Sequence, residues 1–261
     1  MKIASFNING VKARIEALTV WLQDAQPDLA VLQEIKTVDE GFPVQLIEDL
    51  GYNVETHGQK GFNGVAILSK LPLEDVTRGL PGDDADEQAR YIEATVVGER
   101  AVRIAGLYLP NGNPAPGPKF DYKLAWMERL RIRAAELLAS EMPVVMLGDY
   151  NIIPEPRDAA SPGQWLEDAL FRPDSRAAFR RIAAQGWTDA LRDSDPFGQR
   201  GPFTFWDYQA GAWQRDNGIR IDHLMLSPQA ADLVRETGVD REARAGEKPS
   251  DHVPVWVDLA A

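Results

Sequence analysis

"PVVMLGDYNIIP", residues 143–154, is the stretch on which the reading of this chain turns. After a proline come four apolar residues, Val144 to Leu147, and then Gly148, Asp149 and Asn151. A short, continuous apolar run of this kind suits a strand buried on both faces of a sheet. Side chains alternate along a strand, so Asp149 and Asn151 share one face at its end. Either the two residues make a turn, at which both types are adept, or an acid and an amide stand side by side in a site.

Similar runs recur along the chain. "IASFNIN" (3–9), "LAVLQE" (29–34), "GVAILS" (64–69), "YIEATVV" (91–97), "VRIAGLYLPN" (102–111), "IDHLMLS" (221–227) and "HVPVWVDL" (252–259) also read as strands. Helical patterns lie between them. Ile15, Leu18, Trp21 and Leu22 share a face, as do Leu124, Met127, Leu130, Ala134 and Leu137 after the loop "NGNPAPGPK". Ser227 followed by Pro228 predicts an N-cap, and Gly51 and Gly186 predict helix stops. Strands with interleaved helices imply an α/β layered domain with sheets inside and helices outside. With 261 residues the chain is long enough for one large domain, taken as 1–261.

Composition narrows the chemistry. There is no cysteine, which removes thiolate nucleophiles, thiolate metal sites and disulfides, and only three histidines, which disfavours a histidine-rich zinc site. A metal would be held mainly by oxygen, and that favours Mg²⁺ or Mn²⁺. No apolar run approaches membrane-spanning length, so no membrane partner is expected and a cytoplasmic location is the default. The net charge of −12 argues against an extended polyanion-binding surface. It leaves room for local basic patches and for carboxylates neutralised by a cation. The acidic stretch "PGDDADEQAR" (81–90) reads as a solvated loop without chemistry.

Polar residues interrupt the apolar runs with a consistent polarity. Asn7 and Asn9, Glu34, Tyr108 and Asn111, and Asp149 and Asn151 all follow their runs, whereas Asp222, and Asp251 with His252, precede theirs. If the first four strands run towards one edge and the last two away from it, these groups meet at a single rim, where binding sites tend to form. That convergence favours the site over the turn for Asp149 and Asn151. Clustered carboxylates repel unless a cation joins them, and amides and an imidazole are good donors to phosphate oxygens. An acid beside the metal can orient and deprotonate water, so the set is equipped to hydrolyse a phosphate ester by in-line displacement.

The series "SFNINGVKAR", "PDLAVLQEIK", "GQKGFNGVAILSK", "YLPNG", "LGDYNIIP", "FTFWDY", "RIDHLMLS" and "EKPSDHVPVW" resembles the exonuclease III-type abasic-site endonucleases, in order, from residue 1 to about 258. "LGDYNI" and "SDH" alone belong to the wider endonuclease/exonuclease/phosphatase superfamily; the full series is similar to the bacterial branch. The resemblance implies a four-layered α/β sandwich with two central mixed β-sheets flanked by helices. It also implies Mg²⁺-dependent attack of water on a DNA phosphodiester, 5′ to abasic sites or at 3′ ends of duplex DNA, by a monomer. Glu34 becomes the principal metal ligand, with Asn7 nearby and Asp251 a second ligand; Asp149, Asn151 and His252 border the same ion. Asp149 would activate the water and Asn151 orient it and the phosphate. His252, fixed by Asp222, would donate to the phosphate, with Tyr108 and Asn111 contacting the phosphate or the leaving oxygen. The resemblance does not fix which group protonates the leaving oxygen.

For DNA contact the expected residues are Asn9, Asn111, Phe205 at the sugar pocket, and Arg176 and Arg180 from the basic island "RPDSRAAFRR" (172–181). Trp206, in the same aromatic segment, reads as core. Animal relatives carry tryptophan three residues before the aspartate matched by Asp222; Ile219 stands there here, which fits the bacterial branch. Two other functions use parts of the same equipment. One is a superfamily phosphodiesterase or phosphatase acting on a small-molecule or lipid phosphate ester, against which "FTFWDY" and the arginine island argue. The other is a non-catalytic nucleic-acid-binding regulator, which the complete polar set argues against.

Overall fold

The computed structural model describes residues 1–261. Twelve strands form two six-stranded sheets. The first sheet holds β1 (Lys2–Asn7), β2 (Leu29–Gln33), β3 (Asn53–His57), β4 (Val65–Ser69), β11 (Val234–Val239) and β12 (Val255–Leu259), in the order β11-β12-β1-β2-β4-β3. The second holds β5 (Leu73–Arg78), β6 (Tyr91–Val96), β7 (Val102–Tyr108), β8 (Val144–Asp149), β9 (Thr188–Asp189) and β10 (Asp222–Leu226), in the order β5-β6-β7-β8-β10-β9. Both sheets are mixed. β1 runs parallel to β2 and antiparallel to β12, while β7 runs parallel to β8, which is antiparallel to β10.

The apolar runs are explained by burial on both faces. Ile3, Val31, Ile67, Ile104, Val145, Leu147 and Leu224 meet between the sheets. The alternate residues Ala4, Phe6, Ala30 and Leu32 of the first sheet pack under Leu18, Trp21 and Leu22 of α1 (Ile15–Ala25) and Ile47 of α2 (Val44–Glu48). On the far side, Tyr91, Leu107, Val144 and Met146 are covered by Trp126, Met127, Leu130, Ala134 and Leu137 of α3 (Pro118–Ala139). Phe179 and Ile182 of α4 (Pro173–Ala183) complete that layer. The layers are therefore helix, sheet, sheet, helix, as the resemblance implied. The Ser227 hydroxyl accepts from the Ala230 N–H at the start of the short helix Pro228–Ala231, and Gly51 and Gly186 take positive φ just past helix ends.

Four strands were not anticipated, β3, β5, β9 and β11. The loop over 81–90 is also less detached than its acidity suggests. Asp86 accepts from Tyr122 (3.0 Å) and pairs with Arg129 (2.8 Å), so one of its acids pins the loop to α3. No helix is long and apolar enough to cross a membrane.

Glu93 is the most demanding residue of the second sheet. It points from β6 into the helix layer, fully buried, and is satisfied by Arg133 (2.7 Å), Arg103 (2.6 Å) and the Tyr91 hydroxyl. Burial pushes its carboxyl up, but the bonds from Arg133, Tyr91 and Arg103 outweigh that and hold it below the usual carboxylate range. Its contribution is therefore complete above its unfolded pKa and is lost as pH falls through the lower folded value. Replacement by Ala leaves two arginines without their shared acid and is expected to cost about 3 kcal/mol in urea unfolding. A loss below about 1 kcal/mol would show the network to be solvated.

Candidate active site

At one end of the sandwich the ends of β1, β2, β7 and β8 meet the beginnings of β10 and β12, the arrangement that the polarity of the runs predicted. Glu34, Tyr108, Asn111, Asp149, Asn151, Phe205, Asp251 and His252 line one pocket of about 220 Å³. Asn7, Asn9 and Asp222 are bonded to its walls.

The opening pair is both a turn and part of the site. The Asn151 N–H donates to Asp149 Oδ1 (2.8 Å), closing the turn, with Asn151 at φ +47°. Asp149 Oδ2 is left facing the pocket, where it accepts from Asn7 Nδ2 (2.9 Å). The same Asn7 nitrogen reaches Glu34 Oε1 (2.9 Å). Glu34 sits at φ +51°, a conformation uncommon for residues other than glycine, and is held there as Gly10 N–H donates to its carbonyl (2.7 Å). Gly148 is required by packing, because a Cβ there would lie 1.9 Å from the Leu107 carbonyl oxygen.

Register sets the next pair: Asp222 lies directly opposite Asp149 across β8 and β10. Its Oδ2 is 2.9 Å from His252 Nδ1, while His252 Nε2 is 3.6 Å from Asp149 Oδ2. Arg220, two residues before Asp222, is engaged by Asp158 (2.8 Å) and Asp189 (2.7 Å). The Ser250 hydroxyl caps no helix; it donates to the Asn7 carbonyl (2.6 Å) and ties the "SDH" segment to β1. Asp251 accepts from Asn9 Nδ2 (3.0 Å). The Phe205 ring packs edge-on against His252 at 5.0 Å, and Trp206 is fully buried, as its core reading required.

The family profile described as "Endonuclease/Exonuclease/phosphatase family" matches residues 4–252. The chain belongs to that family. It is 36% identical to "Exodeoxyribonuclease III" of Haemophilus influenzae, over 99% of this chain and 100% of the relative. Among solved structures, an AP endonuclease from Archaeoglobus fulgidus is 35% identical with a TM-score of 0.94, covering 100% of both chains. A 3′ phosphatase from Neisseria, bound to a product DNA hairpin, is 37% identical with a TM-score of 0.95, also covering 100% of both.

The electrostatics of this pocket are set by burial and like charge. Burial, with Asp222 and Glu34 nearby, pushes the Asp149 carboxyl well up, against the pull of His252 and the Asn151 N–H. Burial alone would lower His252, but Asp222 and Asp149 outweigh it and hold the imidazolium to higher pH. Burial also acts against the Glu34 carboxylate, yet Asn7 and Lys36 bring it below its ordinary value. The Tyr108 phenol is raised by burial and by Glu34 and Asp149, so it carries its proton at neutral pH.

A hard cation fits the carboxylates of this pocket: Glu34 and Asp149 share one amide, Asp251 lines the same pocket, and the ligand atoms of Asp149, Asp222 and His252 lie within 4.8 Å of one another.

The arginine island divides. Arg176 spends its guanidinium on the Pro154 carbonyl (2.9 Å) and the Phe171 ring, while Arg180 is exposed on α4; neither lines the pocket. Several neighbours were not anticipated. Lys36 pairs with Glu34 (2.8 Å), Arg90 lies over the Tyr108 ring at 4.8 Å, and Trp165, Asp168 and Leu170 close the far wall. Lys123 is fully buried behind the pocket, and burial pulls its ammonium down to about 7 against Asp149 and Asp168. Its place in the apolar stripe of α3, four residues before Met127, was the available signal.

Asp222→Asn removes the charge that chiefly holds the His252 proton, so the imidazole should titrate at lower pH. A histidine NMR titration measures this; an unmoved midpoint would mean that Asp222 does not set the charge of His252.

Proposed function

We propose that this protein is a Mg²⁺-dependent DNA repair nuclease, with Mn²⁺ a substitute, that cuts duplex DNA 5′ to abasic sites and processes 3′ ends. The observation that carries the reading is the seam of the two sheets, where Asp149, Glu34 and Asn7 face an Asp222–His252 pair beside the Phe205 wall. The Haemophilus exodeoxyribonuclease III and the DNA-bound Neisseria 3′ phosphatase support DNA as the substrate class.

Asp149 is the general base. Its raised proton affinity makes it a better acceptor than an ordinary carboxylate, and its Oδ2, which accepts from Asn7 Nδ2, faces the pocket. The Asn151 side chain is anchored by Nδ2 to the Leu109 carbonyl (2.8 Å), and its oxygen, which accepts from Asn111 Nδ2 (3.3 Å), keeps a second lone pair to orient the attacking water. His252, with Nδ1 fixed by Asp222, donates from Nε2 to a non-bridging phosphate oxygen as negative charge grows there. Tyr108, protonated, and the Asn111 amide serve the phosphate and the departing 3′ oxygen. Phe205 offers an apolar wall to a sugar lacking its base. Glu34, Asn7 and Asp251 would hold Mg²⁺, with Asp149 and Asn151 bordering it; the ion supplies neutralisation of phosphate charge and an acidified water. A chain of charge −12 contacts DNA through few basic groups, Arg180 among them, so affinity is modest.

The first test is an end-labelled duplex with one central abasic analogue, with Mg²⁺ or with EDTA. A Mg²⁺-dependent cut 5′ to the lesion leaving an extendable 3′ end is expected. No cut at any salt concentration, with turnover of a small phosphate ester instead, would overturn the DNA assignment. Asp149→Asn should lower kcat by roughly 10²- to 10⁴-fold while DNA Kd changes little. Equal losses in both would remove Asp149 from the role of base.

A further inference from the structure

Lys123 is a buried cation whose two hydrogen-bond partners are main-chain carbonyls, Asn111 O (3.0 Å) and Asn151 O (2.7 Å). Taking an ammonium out of water is costly, and a methionine would fill the same space without that cost. The lysine therefore answers a need for a donor, and its position shows which need. The two carbonyls lie just past the ends of β7 and β8, on the two residues whose side-chain amides meet at the pocket: Asn111 Nδ2 donates to Asn151 Oδ1 (3.3 Å). The next loop residue, Gly112, has φ +92°, and a Cβ on it would stand 2.6 Å from Lys123 Cδ. The loop closes directly on the lysine stem.

We propose that Lys123 is a positioning residue of the reaction: from behind the pocket it clamps the ends of β7 and β8 together and so sets the placement of the Asn111 and Asn151 amides against the phosphate and the attacking water. A clamp of this kind acts on geometry at the reacting atoms, where a displacement of an ångström is worth far more in rate than in binding. It uses two of the three ammonium donors, and their acceptors lie on separate strands, so no single neutral side chain of that length replaces it.

The inference rests on the nuclease reading, and the test keeps the two apart by running the wild type alongside. An inactive wild type defeats the nuclease reading; an active wild type with an unimpaired variant defeats only the clamp. Lys123→Met keeps the stem and removes the donors, and should lower kcat by roughly 10- to 100-fold with DNA Kd within about twofold. Lys123→Arg keeps charge and donors and should recover most of the rate; it serves as the folded comparison if the methionine variant is unstable. In a double-mutant cycle, Lys123→Met added to Asn151→Ala should cost little more than Asn151→Ala alone, because the lysine acts through that amide. Multiplying losses, an unchanged kcat in Lys123→Met, or an arginine variant that folds but is as slow as the methionine one would each overturn the proposal.

Discussion

One amide holds the two halves of this molecule's chemistry together. Asn7 Nδ2, at the end of β1, lies 2.9 Å from Glu34 of its own sheet and 2.9 Å from Asp149 of the other. Two carboxylates that would repel across the seam are thereby made to share a donor. The Asp222–His252 pair repeats the device, with the acid on the second sheet and the imidazole just before β12 of the first. Between the sheets the packing is apolar apart from the bonded Ser5–Gln33 pair, and the polar seam forms where the strands end. The register that puts Asp222 opposite Asp149 brings the two acids together at the seam: a slip of β10 by one residue would turn Asp222 to the other face.

The strands that the sequence announces are the interior ones. β1, β2, β4 and β12, and β6, β7, β8 and β10, are flanked on both sides within their sheets and covered on both faces, so their sequences are continuous apolar runs. The four that escape notice, β3, β5, β9 and β11, are the four sheet edges. "LEDVTR" and "VRETGV" carry charges on exposed positions, as an edge must if it is not to recruit another chain. β9 has two residues, too few to show any period. The omission follows from physics: hydrophobic pattern reports burial, and edges are the least buried part of a sheet.

The site divides in the same way. Side chains that leave an apolar run at its end are conspicuous in one dimension, which is why Glu34, Tyr108, Asp149, Asp222 and His252 could be named. Lys123 and Arg90 act from elements that the site does not end on, through a main-chain carbonyl and a ring face, and spacing carries no trace of either contact. The basic island is a different case. Four arginines in ten residues read as a surface patch, and Arg172, Arg176 and Arg180 do follow one another at four-residue spacing down one side of α4, but what each meets there differs. Arg172 and Arg176 are consumed by Glu167, Pro154 and two aromatic rings, leaving Arg180 and Arg181 to solvent.

The choice between turn and site for Asp149 and Asn151 was a false one, and the reason is general to this rim. A strand that ends in a site must also reverse there, and the residues that close the reversal are the ones at hand for chemistry. Asp149 uses Oδ1 for the Asn151 N–H and Oδ2 for the pocket. Asn7 uses its oxygen for the Asn9 N–H (3.0 Å) and its nitrogen for two carboxylates. Asn111 does the same, with its oxygen on the Asn113 N–H (3.1 Å) and its nitrogen on Asn151. Each planar group is fixed in orientation by its turn, so the atom it offers to the site is aimed before any substrate arrives, and the cost of aiming it is met during folding. An Asp or Asn at such a corner is therefore a turn former and a functional group by one and the same hydrogen bond.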